Sequence, residues 1–200
     1  MANIETLRKN LEAHGFETRF FATKQEAADY LCASLSGTTI GIGGSMTVDA
    51  LNVYERLCEK NTVYWHWKQD RAAALAGAAA AEVYLCSVNG AAETGELVNI
   101  DGSGNRLAAS VYGKKKVCLI IGTNKVVPTL EDAIHRARNI AAPMNTRRFQ
   151  LSTPCAAGEE MRCYDCSHPQ RICRGLQIFL RKMNGVGECE VILVDEPLGY

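Results

Sequence analysis

The stretch KVCLIIG (116–122), running straight into TNK (123–125), decides the fold of this chain. Val117 through Ile121 is an unbroken apolar run. It does not alternate between apolar and polar residues, so both faces of the strand are buried. That is the pattern of a strand inside a parallel sheet with helices on both sides. In such sheets ligands sit beyond the carboxyl ends of the strands. Thr123, Asn124 and Lys125 leave the strand at that end, so Asn124 is a candidate ligand-binding residue. Lys125 is a candidate catalytic residue, with its amino group at a pocket mouth.

The same reading extends outward in both directions. FETRFFA (16–22), TTIGIG (38–43), TVYWHW (62–67), EVYLCSVN (82–89) and CEVILVDE (189–196) all have strand character. Helical patterns separate them. Ile4, Leu7 and Leu11 recur at helical spacing before Gly15. Thr23 with Glu26 has the spacing of a capping box. A helix is expected from Met46 or Thr47 to Glu59. RAAALAGAAAA (71–81) is a helix of alanine, able to approach a sheet closely. GELVNIDGSGNRLAASVYG (95–113) reads as two strands joined by a turn at 101–105. A helix begins at Thr129 and is closed by Pro143, and another is expected near 171–183. Strands alternating with helices make an α/β fold, a mainly parallel sheet with flanking helices, in one domain over 1–200. Trp65 and Trp67 suit core packing, the preferred reading, or a subunit contact in a homo-oligomer.

Composition excludes several classes. Lys+Arg and Asp+Glu both number 22, so no overall field draws the chain to nucleic acid or to an anionic membrane. Any anion site must be local. The amino terminus has no apolar core of a secretory signal, and no apolar run reaches the ~18 residues of a membrane span. A cytoplasmic location is the expectation.

Three loops carry the chemistry. GIGGSMT (41–47) joins a strand to a helix. Gly43 and Gly44 allow a ligand close to the backbone, Ser45 and Thr47 bring hydroxyls, and the following helix offers free N–H groups to a carboxylate or phosphate. A tight turn without ligand is the alternative. In the second loop, Asn89 leaves a buried strand and Glu93 follows, as a general base, a nucleophile or a solvated carboxylate. Asp101, Gly104 and Asn105 have turn chemistry, with Asp101 a second candidate acid, and Arg106 is able to grip an anion. The third loop holds Asn124 and Lys125, with Asn145, Arg147 and Arg148 beyond the proline. Arg136 and Arg138 read as a solvated helix face.

Nine cysteines are many for a cytosolic chain. Cys32, Cys58, Cys86, Cys118 and Cys189 read as small buried hydrophobes. Cys155, Cys163, Cys166 and Cys173 are spaced C-x7-C-x2-C-x6-C. The C-x2-C core lets two thiolates reach one ion, and four sulfurs satisfy zinc or an iron–sulfur cluster. His168 is a substitute ligand. Disulfides and reduced thiols are the alternatives.

GIGGSMT, ETGELVNIDGSGNRLAA, and GTNKVV followed by EDAIHRARNIAAPMNTRR together resemble the LUD (lactate utilization) domain family in its short form. The resemblance implies a fold similar to ribose-5-phosphate isomerases, glucosamine-phosphate deaminases and CoA transferases. It also implies a role in lactate and pyruvate metabolism alongside iron–sulfur redox partner proteins. By analogy with those folds, GIGGSMT is the anion loop and Glu93 or Asp101 the acid. The expectation is a protein that binds a small anionic metabolite, either as an enzyme or as a non-catalytic sensor or accessory of an iron–sulfur system.

Overall fold

In the computed structural model, which describes residues 3–200, all six of these apolar runs lie in one sheet. The chain enters through α1 (Ile4–Ala13), whose first turn is capped by the Asn3 side chain accepting from the Thr6 N–H. Gly15, at φ +84°, turns it into β1 (Glu17–Phe21). Thr23 and Glu26 form the reciprocal cap that opens α2 (Lys24–Ser34). Then follow β2 (Thr39–Ile42), the short helices α3 (Met46–Asp49) and α4 (Tyr54–Cys58), β3 (Thr62–Trp65), the alanine helix α5 (Arg71–Ala80) and β4 (Val83–Cys86). The chain continues through β5 (Gly90–Ala92), β6 (Leu97–Asp101), α6 (Asn105–Val111), β7 (Lys114–Gly122) and β8 (Val126–Val127). It closes with α7 (Leu130–Arg136), α8 (Ala142–Arg148), α9 (Pro154–Ala157), β9 (Gly175–Phe179) and β10 (Val186–Val194).

Six strands form the main sheet in the order β1-β10-β7-β4-β2-β3, every neighbouring pair parallel. Strand β7 sits inside it, and its side chains alternate between two apolar layers. Val117, Leu119 and Ile121 pack with Leu7, Leu11 and Tyr84 on one face. Cys118 and Ile120 pack with Leu31, Leu57 and Trp65 on the other. The closeness of α5 to the sheet is visible at Gly41, where an added Cβ would stand 2.8 Å from the Ala78 Cα. Trp65 is buried and stacks on Trp67 with ring centroids 5.6 Å apart.

A second sheet, in the order β8-β5-β6-β9, lies outside this frame. It corrects two sequence expectations. Residues 95–113 are a strand and a helix rather than two strands. The Asp101 carboxylate accepts from the N–H groups of Gly102, Ser103 and Arg106, and Gly104 takes φ +83°, so the turn winds directly into α6. The expected helix near 171–183 is instead strand β9, because Leu176 and Ile178 pair across to the buried strand β6.

Two helices also differ from expectation. The segment from Met46 to Glu59 is split into α3 and α4, with Asn52 at φ +50° between them. Pro143 does not end its helix. A wide π turn over 137–141 links α7 to α8 and makes room for the proline ring in the first turn of α8. Of the five scattered cysteines, Cys86, Cys118 and Cys189 are buried, but Cys32 is only partly so and Cys58 is exposed. Cys58 ends a one-turn helix whose single fully buried residue is Leu57. Among the described residues, no helix is long and apolar enough to cross a membrane.

Candidate functional site

The carboxyl ends of β2, β3, β4 and β7 open on one cavity of about 220 Å³. Each strand contributes the polar residues that follow it. Ser45 and Thr47 come after β2, His66 and Trp67 after β3, Ser87 and Asn89 after β4, and Lys125 after β7. Strand β6 and helix α6 add Asp101, Asn105 and Arg106, and α8 adds Asn145 and Arg148. Arg71, the first residue of α5, completes the wall.

Lys125 lies at the bottom of this cup, 2% exposed. Its Nζ is 2.7 Å from the Thr47 hydroxyl, 2.9 Å from the Ser87 hydroxyl and 3.1 Å from the Val88 carbonyl oxygen. Burial first, and then the cations Arg136 and Arg106, hold its pKa well below that of an ordinary lysine. Thr47 in turn donates to the Leu198 carbonyl at 3.1 Å. Ser45 also caps α3, accepting from the Val48 N–H at 3.3 Å.

Asp101 and Arg106 form a unit on the opposite side. The Asp101 carboxylate already holds three N–H groups and faces the Arg106 Nε at 3.4 Å. The Arg106 guanidinium also donates to Asn99 Oδ1 and to the Ile100 carbonyl. This carboxylate orders the turn, and its acceptor capacity is largely spent there. Arg148 donates from Nε and a terminal nitrogen to Asn145 Oδ1, at 3.0 and 2.9 Å. Its guanidinium lies over Phe149, 4.0 Å from the ring centroid, and over Trp67 at 5.1 Å. His66 is half-buried, and burial, helped by Arg71 and Arg106 and opposed by Asp101, lowers its pKa below the usual histidine value.

Of the residues singled out from sequence, Gly44, Ser45, Thr47, Asn89, Asp101, Asn105, Arg106, Lys125 and Asn145 line the cavity. Four do not. Gly43 sits behind the wall, where an added Cβ would meet the Tyr84 hydroxyl at 2.8 Å and the Arg106 side chain at 2.9 Å. Gly104 caps α6. Asn124 braces the last residues of the chain, donating to the Gly199 carbonyl and accepting from the Leu198 N–H. Glu93 is the main correction. Its carboxylate accepts from the Asn3 N–H at 2.7 Å, and its carbonyl accepts from Asn10 Nδ2 at 2.6 Å. Pairing of β5 with β8 in the second sheet carries this turn under α1, away from the cup.

The sequence reading missed His66, Trp67, Arg71 and Ser87. The signal that pointed to Lys125, a polar residue leaving a strand's carboxyl end, applies equally to His66 and Ser87. Arg136 also departs from expectation. It is not on a solvated face but 6% exposed, its guanidinium spanning the Asn124 and Asn89 carbonyls.

The cysteine segment closes one side of the cavity. Ile172 lines it, the Arg174 N–H donates to the Asp101 carbonyl, and Gly102 leaves room for the Ile172 carbonyl, 2.6 Å from where a Cβ would be. Cys155, Cys163, Cys166 and Cys173 are free thiols. Cys155 Sγ meets the hydroxyls of Thr146 and Thr153, each at 3.4 Å. Cys163 Sγ accepts from Arg138 and the Asp165 N–H. Among the described residues no three His, Cys, Asp or Glu side chains come together as ligands of an ion. The zinc or iron–sulfur reading of Cys155, Cys163, Cys166 and Cys173 therefore has no support beyond their spacing.

Comparison with known proteins places the fold. The crystal structure of a DUF162 family protein from Deinococcus radiodurans is similar to this chain with a TM-score of 0.55 at 12% identity, over 96% of this chain and 95% of that one. At that identity the likeness speaks for the fold alone. No curated protein matches the chain. The model of the LUD domain matches residues 4–194, which include both sheets and every residue of the cavity except Tyr200. With nearly its whole length matched, this chain belongs to the LUD domain family.

Proposed function

We propose that the protein binds a small organic anion, a carboxylate of the lactate and pyruvate class or a small phosphate ester, in the cavity at the strand ends. One observation carries this reading. Among the described residues the wall holds three guanidinium groups but a single side-chain carboxylate, Asp101, which is already engaged by Arg106 and three backbone N–H groups. Arg71 and Arg148 have no carboxylate partner among the described residues. A ligand carboxylate or phosphate would supply the missing negative charge, and a guanidinium holds such a group through paired N–H donors. Hydroxyls of Ser45 and Ser87 and the amides of Asn89, Asn105 and Asn145 line the same cavity and would meet the ligand's remaining oxygens.

The test is calorimetric titration with lactate, pyruvate, a sugar phosphate and CoA, on the native chain and on an R71A/R148A double variant. Saturable binding that weakens at least about tenfold in the variant, and weakens with added salt, supports the reading. No saturable binding by any of the four refutes it. Turnover of the bound acid would make the protein an enzyme, and binding alone a sensor. A cytoplasmic location and iron–sulfur redox partners belong to the same reading, through the family's link to lactate utilization. The four-cysteine metal site rests on its spacing alone, and metal analysis of anaerobically prepared protein decides it. No step of the proposed function runs through it.

A further inference from the structure

We infer that Ser87 and Lys125 form a nucleophile–base pair that transfers the acyl group of a small ester or thioester. Three observations meet here. Ser87 Oγ and Lys125 Nζ are 2.9 Å apart, within the reach that proton transfer requires. Both side chains lie on the cavity wall, at the ends of adjacent strands β4 and β7, so the pair faces the place where a ligand would sit. The base is itself oriented by a third group, since Nζ is 2.7 Å from Thr47 Oγ1, which is tied to the Leu198 carbonyl. A nucleophile, a base and an orienting group in series is the arrangement by which a serine hydroxyl becomes reactive.

The surroundings suit the role. No carboxylate reaches Lys125 among the described residues. The amine is surrounded by neutral oxygens, with Arg106 and Arg136 as the nearby cations, and is desolvated. It therefore releases its proton more readily than a free lysine. Thr47 is the poorer nucleophile of the two hydroxyls, being secondary; at rest both donate to a carbonyl, Thr47 to Leu198 at 3.1 Å and Ser87 to Val88 at 3.2 Å, so attack requires the Ser87 O–H to turn from Val88 to Nζ. Asn89, two residues beyond Ser87, spends its Oδ1 on the Ile100 N–H. Its Nδ2 makes no protein hydrogen bond among the described residues and remains a donor for a developing oxyanion.

The step balances without a further reactant than water. Ser87 Oγ attacks the acyl carbon and its proton passes to Lys125 Nζ. The bond to the leaving oxygen or sulfur breaks, and the leaving group takes the proton from Nζ. Water then attacks the Ser87 ester and gives its proton to Nζ. The acid departs, and Ser87 Oγ recovers the proton.

The test is covalent labelling with a small alkyl fluorophosphonate, read by intact mass and peptide mapping, on native, S87A, K125M and K125R chains whose folding is checked by circular dichroism. The expected result is one adduct, on Ser87, absent from S87A. Its formation should slow at least about 100-fold in K125M and K125R, the usual contribution of a general base. In the native chain the rate should rise with pH through a midpoint below that of free lysine. Should both lysine variants fail to fold, this profile decides, and a flat one overturns the inference. Failure to label Ser87 in the folded native chain, or equal rates in the folded lysine variants, also overturns it. Anion titration is unaffected by either result, so the binding reading stands or falls separately.

Discussion

Arg136 Nε donates to the Asn124 carbonyl oxygen at 3.0 Å, and the same guanidinium reaches the Asn89 carbonyl. One buried side chain on α7 thus fastens two strand-end loops, those that carry Asn89 and Lys125. Burial pushes its pKa down to about 10, so it remains a cation at neutral pH. R136M fills the volume but leaves two carbonyls without donors. The expected cost is about 2–3 kcal/mol of stability, measured by urea unfolding, together with weaker anion binding at the loops it releases. An R136M chain as stable as the native one would show that the carbonyls find other partners.

Glu93 makes the opposite case. Its carboxylate sits at the amino end of α1, where it meets the Asn3 N–H and the positive end of the helix dipole. E93Q should therefore cost about 0.5–1 kcal/mol of stability and leave ligand affinity unchanged. Loss of binding in a folded E93Q protein would return Glu93 to the site.

The buried amine of Lys125 predicts a pH signature. Its folded pKa lies well below the roughly 10.4 of an unfolded lysine. Between those two values the unfolded chain holds the proton and the folded chain has released it. The unfolded state then binds more protons, so stability rises with pH across that window, by up to about 1.4 kcal/mol per unit. K125M removes the effect. Unfolding free energies at about pH 7 and about pH 9.5 should show the native chain gaining on K125M at the higher pH. A constant difference would mean that the ammonium stays charged in the fold.

Gly41 tests the contact between α5 and β2. A Cβ there would press on the Ala78 Cα and carbonyl oxygen at 2.8 Å. G41A should cost about 1–3 kcal/mol through overpacking, seen as a lowered unfolding midpoint in denaturant. Neutral behaviour would indicate that the alanine helix can slide outward without loss.

Much of the scaffold is legible in short windows of sequence. The run 117–121 buries both faces of its strand, and Thr23 with Glu26 announces a helix start, because each depends on residues a few positions apart. The strand-end rule likewise finds Ser45, Thr47, Asn89 and Lys125. It fails at Glu93 and passes over His66 and Ser87. A polar residue leaving a strand points into the cup or away from it according to register and to the sheet its neighbours join. At Glu93 the pairing of Ala92 with Val127 in the second sheet settles the matter, across 35 residues of chain. Residues 101–106 read as a hairpin turn because nothing local shows that Asp101 would take three N–H groups and start a helix.

The chain's own periodicity therefore determines a parallel α/β layer and the rim where polar loops emerge. Apolar burial alternates over two or four residues, and that is written locally. Only the tertiary structure decides which rim residues share one cavity, that Arg71 and Arg148 find no carboxylate partner among the described residues, that Lys125 is buried between Thr47 and Ser87, and that no three of the four cysteines of metal-like spacing come together. Each of these is a meeting of groups separated by tens of residues. Such meetings depend on packing and register, which no single segment encodes.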